Sequence, residues 1–130
     1  MKISILVKDI MSTALISVDI TTPVFQIAKM MQLKEIGAIL VKENEAHVGI
    51  ITDRDFATKI TAKTLPFDTP VKKIMSSPLI TINHDEPISA AAEMMSSKKI
   101  RKLAVSDNGN IVGLITSTDL VNQLAMVNNN

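Results

Sequence analysis

Two copies of one short motif carry the residues of this sequence that are best suited to chemistry. Thr52-x-x-Asp55 and Thr116-x-x-Asp119 each place an acidic residue three positions after a threonine. This spacing is typical of a capping box at the start of a helix, where the helix dipole also favours a carboxylate. The free N–H groups of a helix start can in addition bind phosphate. Spacing alone favours the structural cap, although a threonine can serve as cap and ligand contact together.

The two motifs lie 64 residues apart because a long segment of the chain is duplicated. Val7–Ser12 aligns with Val71–Ser76, and Gly49–Asp55 aligns with Gly113–Asp119. Between residues 7 and 58, roughly 20 of about 52 paired positions are identical, and such a unit is too long and too rarely repeated for a solenoid. We predict a first repeat at residues 1–63, a linker at 64–70 and a second repeat at 71–130, which together form one module with a related pair of sites.

Composition excludes several classes of protein. The chain is 46% hydrophobic and 21% charged, with no Trp or Tyr, so we expect aliphatic surface that is buried in a homo-oligomer. The net charge of +1 comes from scattered basic residues, which argues against nucleic-acid binding. The chain has no cysteine, and its apolar runs are far shorter than the ~20 residues of a membrane helix. The residues from Met1 to Val7 lack a signal-peptide pattern, and the expected location is the cytoplasm.

Each repeat predicts the same order of elements, β-α-β-β-α, and hence an α+β fold. A strand at Leu15–Val18 precedes a helix that Thr22 should cap, with Pro23 at its first position. Glu86-Pro87 opens the matching helix of the second repeat. Hydrophobic spacing predicts the inner faces of the two helices. These faces are Val24, Ile27, Ala28 and Met31 in the first helix, and Ile88, Ala91, Ala92 and Met95 in the second.

A hairpin and a final helix complete each repeat. In the first repeat we expect the turn at Lys42–Ala46, and in the second at Asp107-Asn108-Gly109, because Asn-Gly tolerates the positive φ that tight turns need. The final helices should begin at Thr52 and Thr116.

The motifs resemble those of a known family, the tandem cystathionine-β-synthase-type (CBS) domain pair or Bateman module. The resemblance rests on the Ile-Met-Ser opening of each repeat, on Gly-[Ile/Leu]-Ile-Thr-x-x-Asp, and on Ile100–Val105, and it covers about residues 5 to 126. It implies two repeats packed about a pseudo-twofold axis through their sheets, with two clefts between them. It also implies a disc-shaped homodimer and regulation of a partner enzyme or transporter. The implied ligands are adenosine-containing: AMP, ADP, ATP or S-adenosylmethionine.

The resemblance also assigns residues to the two clefts. In similar modules the motif carboxylate accepts hydrogen bonds from the ribose hydroxyls, and the threonine supports the ribose or phosphate. The first cleft would contain Thr52, Asp55, Ser76, Ile80, Ile100, Arg101 and Lys102. The second would contain Ser12, Ile16, Ile36, Gly37, Thr116, Thr118 and Asp119. For each isoleucine taken singly, a place in the hydrophobic core is the competing interpretation.

The expected clefts differ in charge. Arg101-Lys102 occupies the position that Gly37-Ala38 has in the first repeat, and arginine pairs bidentately with phosphate. We therefore expect the Asp55 cleft to bind the charged nucleotide, and the Asp119 cleft to be empty, weak or selective for a less anionic ligand. The alternative is that Arg101 and its lysine neighbours are only a solvated helix end.

Three functions compete at this point. The leading one is a non-catalytic sensor of adenosine ligands that signals to a partner protein. The second is a nucleotide-free assembly module with the same fold. An enzyme is disfavoured, because the sequence has no nucleophile–base set, no metal-ligand pattern and no glycine-rich phosphate loop. His47 and His84 occupy unmatched positions, and we expect both at the surface without a role in metal binding or proton transfer.

Overall fold

The computed structural model describes residues 4–128, with side chains described as far as residue 126, and contains two three-stranded sheets accompanied by helices. The strands are β1 (Ser17–Asp19), β2 (Ala38–Glu43), β3 (Ala46–Thr52), β4 (Thr81–Asn83), β5 (Lys102–Asp107) and β6 (Asn110–Thr116). The α-helices are α1 (Val7–Ile10), α2 (Val24–Lys34), α3 (Asp53–Asp55), α4 (Ile88–Lys98) and α5 (Ser117–Asn128). A π-helical segment covers Phe56–Thr61, and a 3₁₀ turn covers Val71–Lys73.

Both sheets have the same topology. In the first sheet β1 pairs parallel with β2, and β2 pairs antiparallel with β3. The second sheet repeats this pattern with β4, β5 and β6. The predicted mixed α+β fold, with two repeats of a three-stranded sheet and helices, is therefore confirmed.

The chain folds into two compact units whose limits differ from those of the sequence repeats. The central unit is Ile16–Leu79, and the terminal unit combines Met1–Leu15 with Ile80–Asn130. Each unit thus contains one sheet together with the opening segment of the other sequence repeat. The opening segment is residues 4–15 in the first repeat and residues 71–79 in the second. The repeat limits predicted from the sequence describe the duplication, whereas packing divides the chain at other points.

Each unit has its own aliphatic core. The central core contains Val24, Ile27, Ile39, Val41, Ile51, Ile60, Val71 and Ile74. The terminal core contains Val7, Ile82, Ala91, Met95, Leu103, Val105 and Ile115. Because Val71 and Val7 belong to the two opening segments, these segments are parts of the cores and not surface extensions.

The opening segments are fixed by close contact with a glycine in the last strand of each sheet. Ser12 exchanges two backbone hydrogen bonds with Leu114 (2.8 and 2.9 Å), and Ser76 does the same with Ile50 (3.1 and 2.9 Å). A Cβ added at Gly113 would lie 2.6 Å from Met11 Sδ and 2.9 Å from the Ser12 carbonyl oxygen. A side chain at this position would therefore push the opening segment away from the sheet.

Helices α2 and α4 begin one residue later than predicted. Pro23 is the N-cap residue of α2, with φ −70° and ψ 145°, and no side chain caps the helix. Backbone groups from residues 67–69 bind the first free N–H groups instead, because Val24 donates to Thr69 O (2.9 Å) and Phe25 to Phe67 O (3.0 Å). The expected capping by Thr22 is wrong, since the segment predicted as a linker already satisfies these donors.

Helix α4 also begins after a proline, and a backbone carbonyl binds its first N–H group. Pro87 is its N-cap residue, and Ile88 donates its N–H to Ile5 O (3.0 Å) in the opening segment. Both helices also depart from the predicted apolar stripe, because Ala28 and Ala92 are exposed whereas Met30 and Met94 pack against the cores.

The two hairpins have tight two-residue turns with positive φ. Asn108 and Gly109 have φ 51° and 82°, which confirms the predicted Asn-Gly turn. In the first repeat Asn44 and Glu45 have φ 50° and 70°, so the turn is tighter than the expected Lys42–Ala46. Glu45 holds the left-handed conformation without being a glycine, which costs free energy.

Glu45→Gly is expected to raise the free energy of unfolding by about 0.5–1 kcal/mol, because glycine adopts positive φ without strain. The matched control is Gly109→Ala, which should lower it by a similar amount, since a Cβ there meets no atom within 4 Å and only the backbone is affected. Urea unfolding midpoints measure both changes. A lower midpoint for Glu45→Gly would show that the turn is not strained.

Gly113→Ala is expected to lower the free energy of unfolding by about 1–3 kcal/mol, because the new methyl group overlaps a backbone oxygen that cannot move alone. Gly37→Ala is the control, since its Cβ would approach only the side chain of Asp53, at 3.1 Å. Thermal unfolding of the two variants compares the effects. Equal stability of both variants would contradict a tight contact between Gly113 and the opening segment.

Candidate functional site

Both Thr-x-x-Asp motifs lie where the last strand of a sheet passes into a helix. Thr52 ends β3 and pairs with Ala38, and Thr116 ends β6 and pairs with Lys102. The acidic residues lie in the first turn of the helix that follows. This is the position expected for them from the final helices predicted at Thr52 and Thr116. Each carboxylate is therefore held by a strand on one side and a helix on the other.

The carboxylate of Asp55 is buried and has several partners. Oδ2 accepts the Thr52 N–H at 2.8 Å and lies 3.3 Å from Thr52 Oγ1. Oδ1 forms an ion pair with Lys59 Nζ at 3.0 Å, and only 9% of the Asp55 side chain is exposed. Asp55 thus acts as a helix cap and as the anion of an internal ion pair.

The carboxylate of Asp119 is half-buried and has fewer partners. Oδ2 accepts the Thr116 N–H at 2.8 Å, and the Asp119 N–H donates to Thr116 Oγ1 at 3.2 Å, which completes a reciprocal capping box. Among the residues that the structure describes, no cation forms an ion pair with Asp119. The structural cap that the spacing favoured is thus present in both motifs.

The serines of the predicted sites lie near the motifs of their own units. Ser76 is exposed and is bound to Ile50, two residues before Thr52. Ser12 is exposed and is bound to Leu114, two residues before Thr116. The structure therefore brings Ser76 to the strand that ends in the Asp55 motif, and Ser12 to the strand that ends in the Asp119 motif.

Three of the four candidate isoleucines belong to the cores. Ile16 and Ile36 pack against the central core, and Ile100 packs against the terminal core. Ile80 differs from them, because 36% of its surface is exposed. The competing core interpretation is thus the better description of Ile16, Ile36 and Ile100, and any contact with a ligand stays a prediction.

The backbone of Arg101 lies beside the Asp119 motif, and the backbone of Gly37 lies beside the Asp55 motif. The Arg101 carbonyl accepts the Ser117 N–H at 2.9 Å, and the Gly37 carbonyl accepts the Asp53 N–H at 3.1 Å. This follows from antiparallel pairing, because the residue that precedes β5 meets the residue that follows β6. The backbone of Arg101 therefore adjoins the Asp119 motif, although the sequence analysis grouped Arg101 with Asp55.

The remaining candidates are divided between the units. Thr52, Asp55 and Ser76 lie in the central unit, with Ile16, Ile36 and Gly37. Ser12, Thr116, Thr118 and Asp119 lie in the terminal unit, with Ile80, Ile100, Arg101 and Lys102. Arg101 and Thr118 are exposed, and Lys102 is half-buried. Both predicted site groupings combine residues of the two units and stay predictions.

Lys59 is the one residue at a motif that the sequence analysis missed. Its Nζ contacts Asp55 Oδ1 at 3.0 Å and also donates to Ile74 O at 2.9 Å. The signal was present in the sequence, because an acidic residue followed four positions later by lysine is a common helical ion pair. The duplicated position in the second repeat is Gln123, which carries no charge.

A separate charged cluster joins the N-terminal segment to the loop that precedes α4. Lys8 Nζ lies 3.0 Å from Asp85 Oδ1, and this contact lowers the pKa of Asp85 and raises that of Lys8. His84 Nε2 lies 3.2 Å from Asp107 Oδ1 and 3.4 Å from Asp85 Oδ2. None of these residues belongs to a Thr-x-x-Asp motif.

Both histidines are partly covered, so their expected place at the surface is only partly right. His47 is half-buried beside Ser17 Oγ (3.2 Å), and burial lowers the pKa of its imidazole. Within residues 4–126 no group of three or more His, Cys, Asp or Glu side chains is arranged to hold a metal ion. None of the helices described between residues 4 and 128 has the length and apolar character needed to cross a membrane.

Similar proteins have the same two-repeat architecture. The CBS domain protein YhcV of Bacillus subtilis is 35% identical over 120 residues, which cover 92% of this chain and 86% of that protein. An uncharacterized conserved protein from Pyrococcus horikoshii has a crystal structure with TM-score 0.89 and 28% identity over 95% of each chain. The CBS domain pair of protein MJ0100 was solved with 5′-methylthioadenosine and S-adenosyl-L-methionine. It has TM-score 0.85 and 30% identity, and the match covers 94% of this chain and 97% of that one.

Fold, paired motifs and relatives together define the class as a tandem α+β module in which a Thr-x-x-Asp capping box follows the last strand of each sheet. The family model for the CBS domain matches the chain twice, at residues 7–62 and 71–126. The chain belongs to the CBS domain family and carries two tandem copies of the domain. The resemblance found in the sequence is thereby confirmed. Two further curated relatives are longer proteins, and the chain spans 53% and 55% of their length.

Asp55→Ala is expected to lower the free energy of unfolding more than Asp119→Ala, by about 2 kcal/mol against about 1 kcal/mol. The first change removes a cap and leaves the half-buried Lys59 ammonium without its carboxylate, whereas the second removes a cap only. Urea unfolding of the two variants gives the comparison. If Asp119→Ala were the more damaging change, the contribution of Lys59 to stability would be excluded.

Proposed function

We propose that the chain is a non-catalytic sensor that binds adenosine-containing ligands at its two Thr-x-x-Asp motifs and signals to a partner protein. The observation that carries this proposal is the pair of carboxylates, each held at a strand-to-helix junction by its own threonine. The complex of the related MJ0100 domain pair with 5′-methylthioadenosine and S-adenosyl-L-methionine supports the ligand class.

The chemistry of the motif suits a ribose. A cis-diol offers two hydroxyl donors, and a carboxylate whose backbone contacts fix its orientation can accept both. Because Asp119 Oδ2 is held by the Thr116 N–H, the carboxylate is positioned before a ligand arrives. Such preorganisation reduces the entropy cost of binding.

The adenine ring requires a different environment. We propose that it lies against aliphatic side chains, for which the exposed Ile80 is the best candidate of the four predicted isoleucines. The phosphates of AMP, ADP or ATP would be bound by the exposed Arg101. The identity of the preferred ligand among AMP, ADP, ATP and S-adenosylmethionine is left to experiment.

Signalling follows if ligand binding favours one arrangement of the module that a partner recognises. The partner would be an enzyme or a transporter, as is common for modules of this family. A homodimer is supported by three exposed apolar residues of α5, namely Val121, Leu124 and Met126, which are 62–64% exposed.

The second candidate function is a nucleotide-free assembly module. It is favoured by the finding that the carboxylates of both motifs accept backbone N–H groups, which a structural helix cap alone explains. The same exposed residues of α5 would then carry the main function.

A thermal-unfolding panel distinguishes the two functions. AMP, ADP, ATP and S-adenosylmethionine are tested at a high excess, with GMP as the control for the base. A ligand at 100 times its dissociation constant should stabilise the protein by roughly 2.7 kcal/mol and raise Tm by several degrees. Calorimetry is the suitable readout, because the chain has no Trp or Tyr.

Mutation then connects the shift to the motifs. The double variant Asp55→Asn and Asp119→Asn keeps the size of both side chains and should abolish the shift with every adenosine ligand. Absence of any shift in the unchanged, ligand-free protein would reject the sensor and leave the assembly module.

A further inference from the structure

The two motifs share one sequence pattern, but their carboxylates differ in what already binds them. Asp55 Oδ1 contacts the Lys59 ammonium at 3.0 Å, and Asp55 Oδ2 has both groups of Thr52 within 3.3 Å. At Asp119, the only partners given by the described residues are the two groups of Thr116. One carboxylate is thus largely occupied by the protein itself, and the other is not.

Lys59 is held at two points and is not a loosely placed surface lysine. In addition to Asp55, its Nζ donates to the carbonyl oxygen of Ile74 at 2.9 Å. Its side chain is 34% exposed, so solvent screens the ion pair only in part. A ligand that needs Asp55 Oδ1 must therefore compete with a bound cation for this oxygen.

This competition has a consequence for the choice of ligand. A neutral nucleoside that takes both oxygens of Asp55 weakens the direct contact of the ammonium with the carboxylate and leaves it the Ile74 carbonyl as its remaining close partner. A ligand with a phosphate group supplies a negative charge that can make up for the weakened contact. The Asp55 motif should thus select against uncharged nucleosides, and this selection depends on Lys59.

The Asp119 motif has no equivalent restraint. Residue 123, which corresponds to Lys59, is a half-buried glutamine. Arg101 is exposed, and its backbone adjoins this motif through the hydrogen bond of its carbonyl with the Ser117 N–H. A ribose can reach the Asp119 carboxylate without breaking an ion pair.

We infer that Lys59 sets the order in which the two motifs bind ligand: the Asp119 motif takes the ribose of an adenosine ligand first, and Lys59 keeps the Asp55 motif closed to uncharged nucleosides. This inference rests on the proposed function, because it concerns the ribose that the two carboxylates bind. It keeps the expectation from the sequence that the Asp55 site takes the charged ligand, and it differs from that expectation in placing the first binding event at the Asp119 motif.

The test is an adenosine titration followed by amide NMR signals, with two reciprocal variants. The signals of Thr52 and Asp55 report one motif, and those of Thr116 and Asp119 report the other. Lys59→Gln gives the first motif the neutral residue of the second, and Gln123→Lys gives the second motif the cation of the first. AMP is titrated in parallel.

In the unchanged protein, adenosine should perturb the signals of Thr116 and Asp119 at lower concentration than those of Thr52 and Asp55. Lys59→Gln should strengthen adenosine binding at the Asp55 motif about fivefold and change AMP binding there less. Gln123→Lys should weaken adenosine binding at the Asp119 motif by a similar factor. Since Gln123 is not part of a core cluster, this variant tests the inference even if Lys59→Gln loses stability.

Two other results have separate meanings. If adenosine binds the Asp55 motif first, or if neither variant changes the relative affinities, the role of Lys59 is wrong while ligand binding stands. If neither adenosine nor AMP perturbs any signal of the two motifs, the proposed function fails at these motifs and the inference fails with it.

Discussion

The contact between each Ile-Met-Ser segment and the glycine of a last strand is the constraint on which the rest of the structure depends. At Gly113 the methionine and serine of the opening segment approach so closely that no side chain could be accommodated. Gly49 has the same relation to Met75 and the Ser76 carbonyl, at 2.7 and 2.8 Å from a Cβ. These two contacts join each sheet to the opening segment of the other sequence repeat and thereby define the units.

The same contacts organise the neighbourhood of the motifs. A strand that is hydrogen-bonded on one side to its hairpin partner and on the other to an opening segment has no free edge near its end. The threonine that follows is therefore fixed in position. The capping hydrogen bonds between this threonine and the aspartate three residues later also fix the orientation of the carboxylate. Duplication supplied two such junctions, and later substitution at positions such as Lys59 and Gln123 made them different.

Much of the fold could be predicted from the sequence because the signals are local. The hydrophobic period predicted the helices, and Asn108-Gly109 predicted a turn with the positive φ angles that this pair adopts readily. Helix starts were predicted less well, since Thr22 was expected to cap α2 whereas backbone carbonyls from residues 67–69 satisfy the helix donors. Such tertiary hydrogen bonds leave no pattern in the sequence nearby.

The residue types of the candidate site were predictable from the sequence. Which residues adjoin which motif was less predictable. The motif itself is recognisable from spacing, but the neighbour of Asp119 depends on strand register, which places Arg101 beside Ser117. The pairing of Lys59 with Asp55 could have been found from the four-residue spacing. Lys59 stands outside the motifs that carry the family resemblance, and the two repeats differ at this position, with Lys59 in the first and Gln123 in the second.

The division of the chain into a continuous central unit and a discontinuous terminal unit affects the order of assembly during synthesis. Residues 16–79 contain every strand of the first sheet, so this unit has all its partners once residue 79 has left the ribosome. The N-terminal segment, by contrast, has its partner strand β6 about 100 residues later, since Ser12 pairs with Leu114. Its apolar residues stay exposed in the nascent chain until the second sheet has formed. Bringing the segment to β6 closes a long loop, which adds to the entropy cost of this last step. The half of the module that begins the chain is thus the half that is completed last.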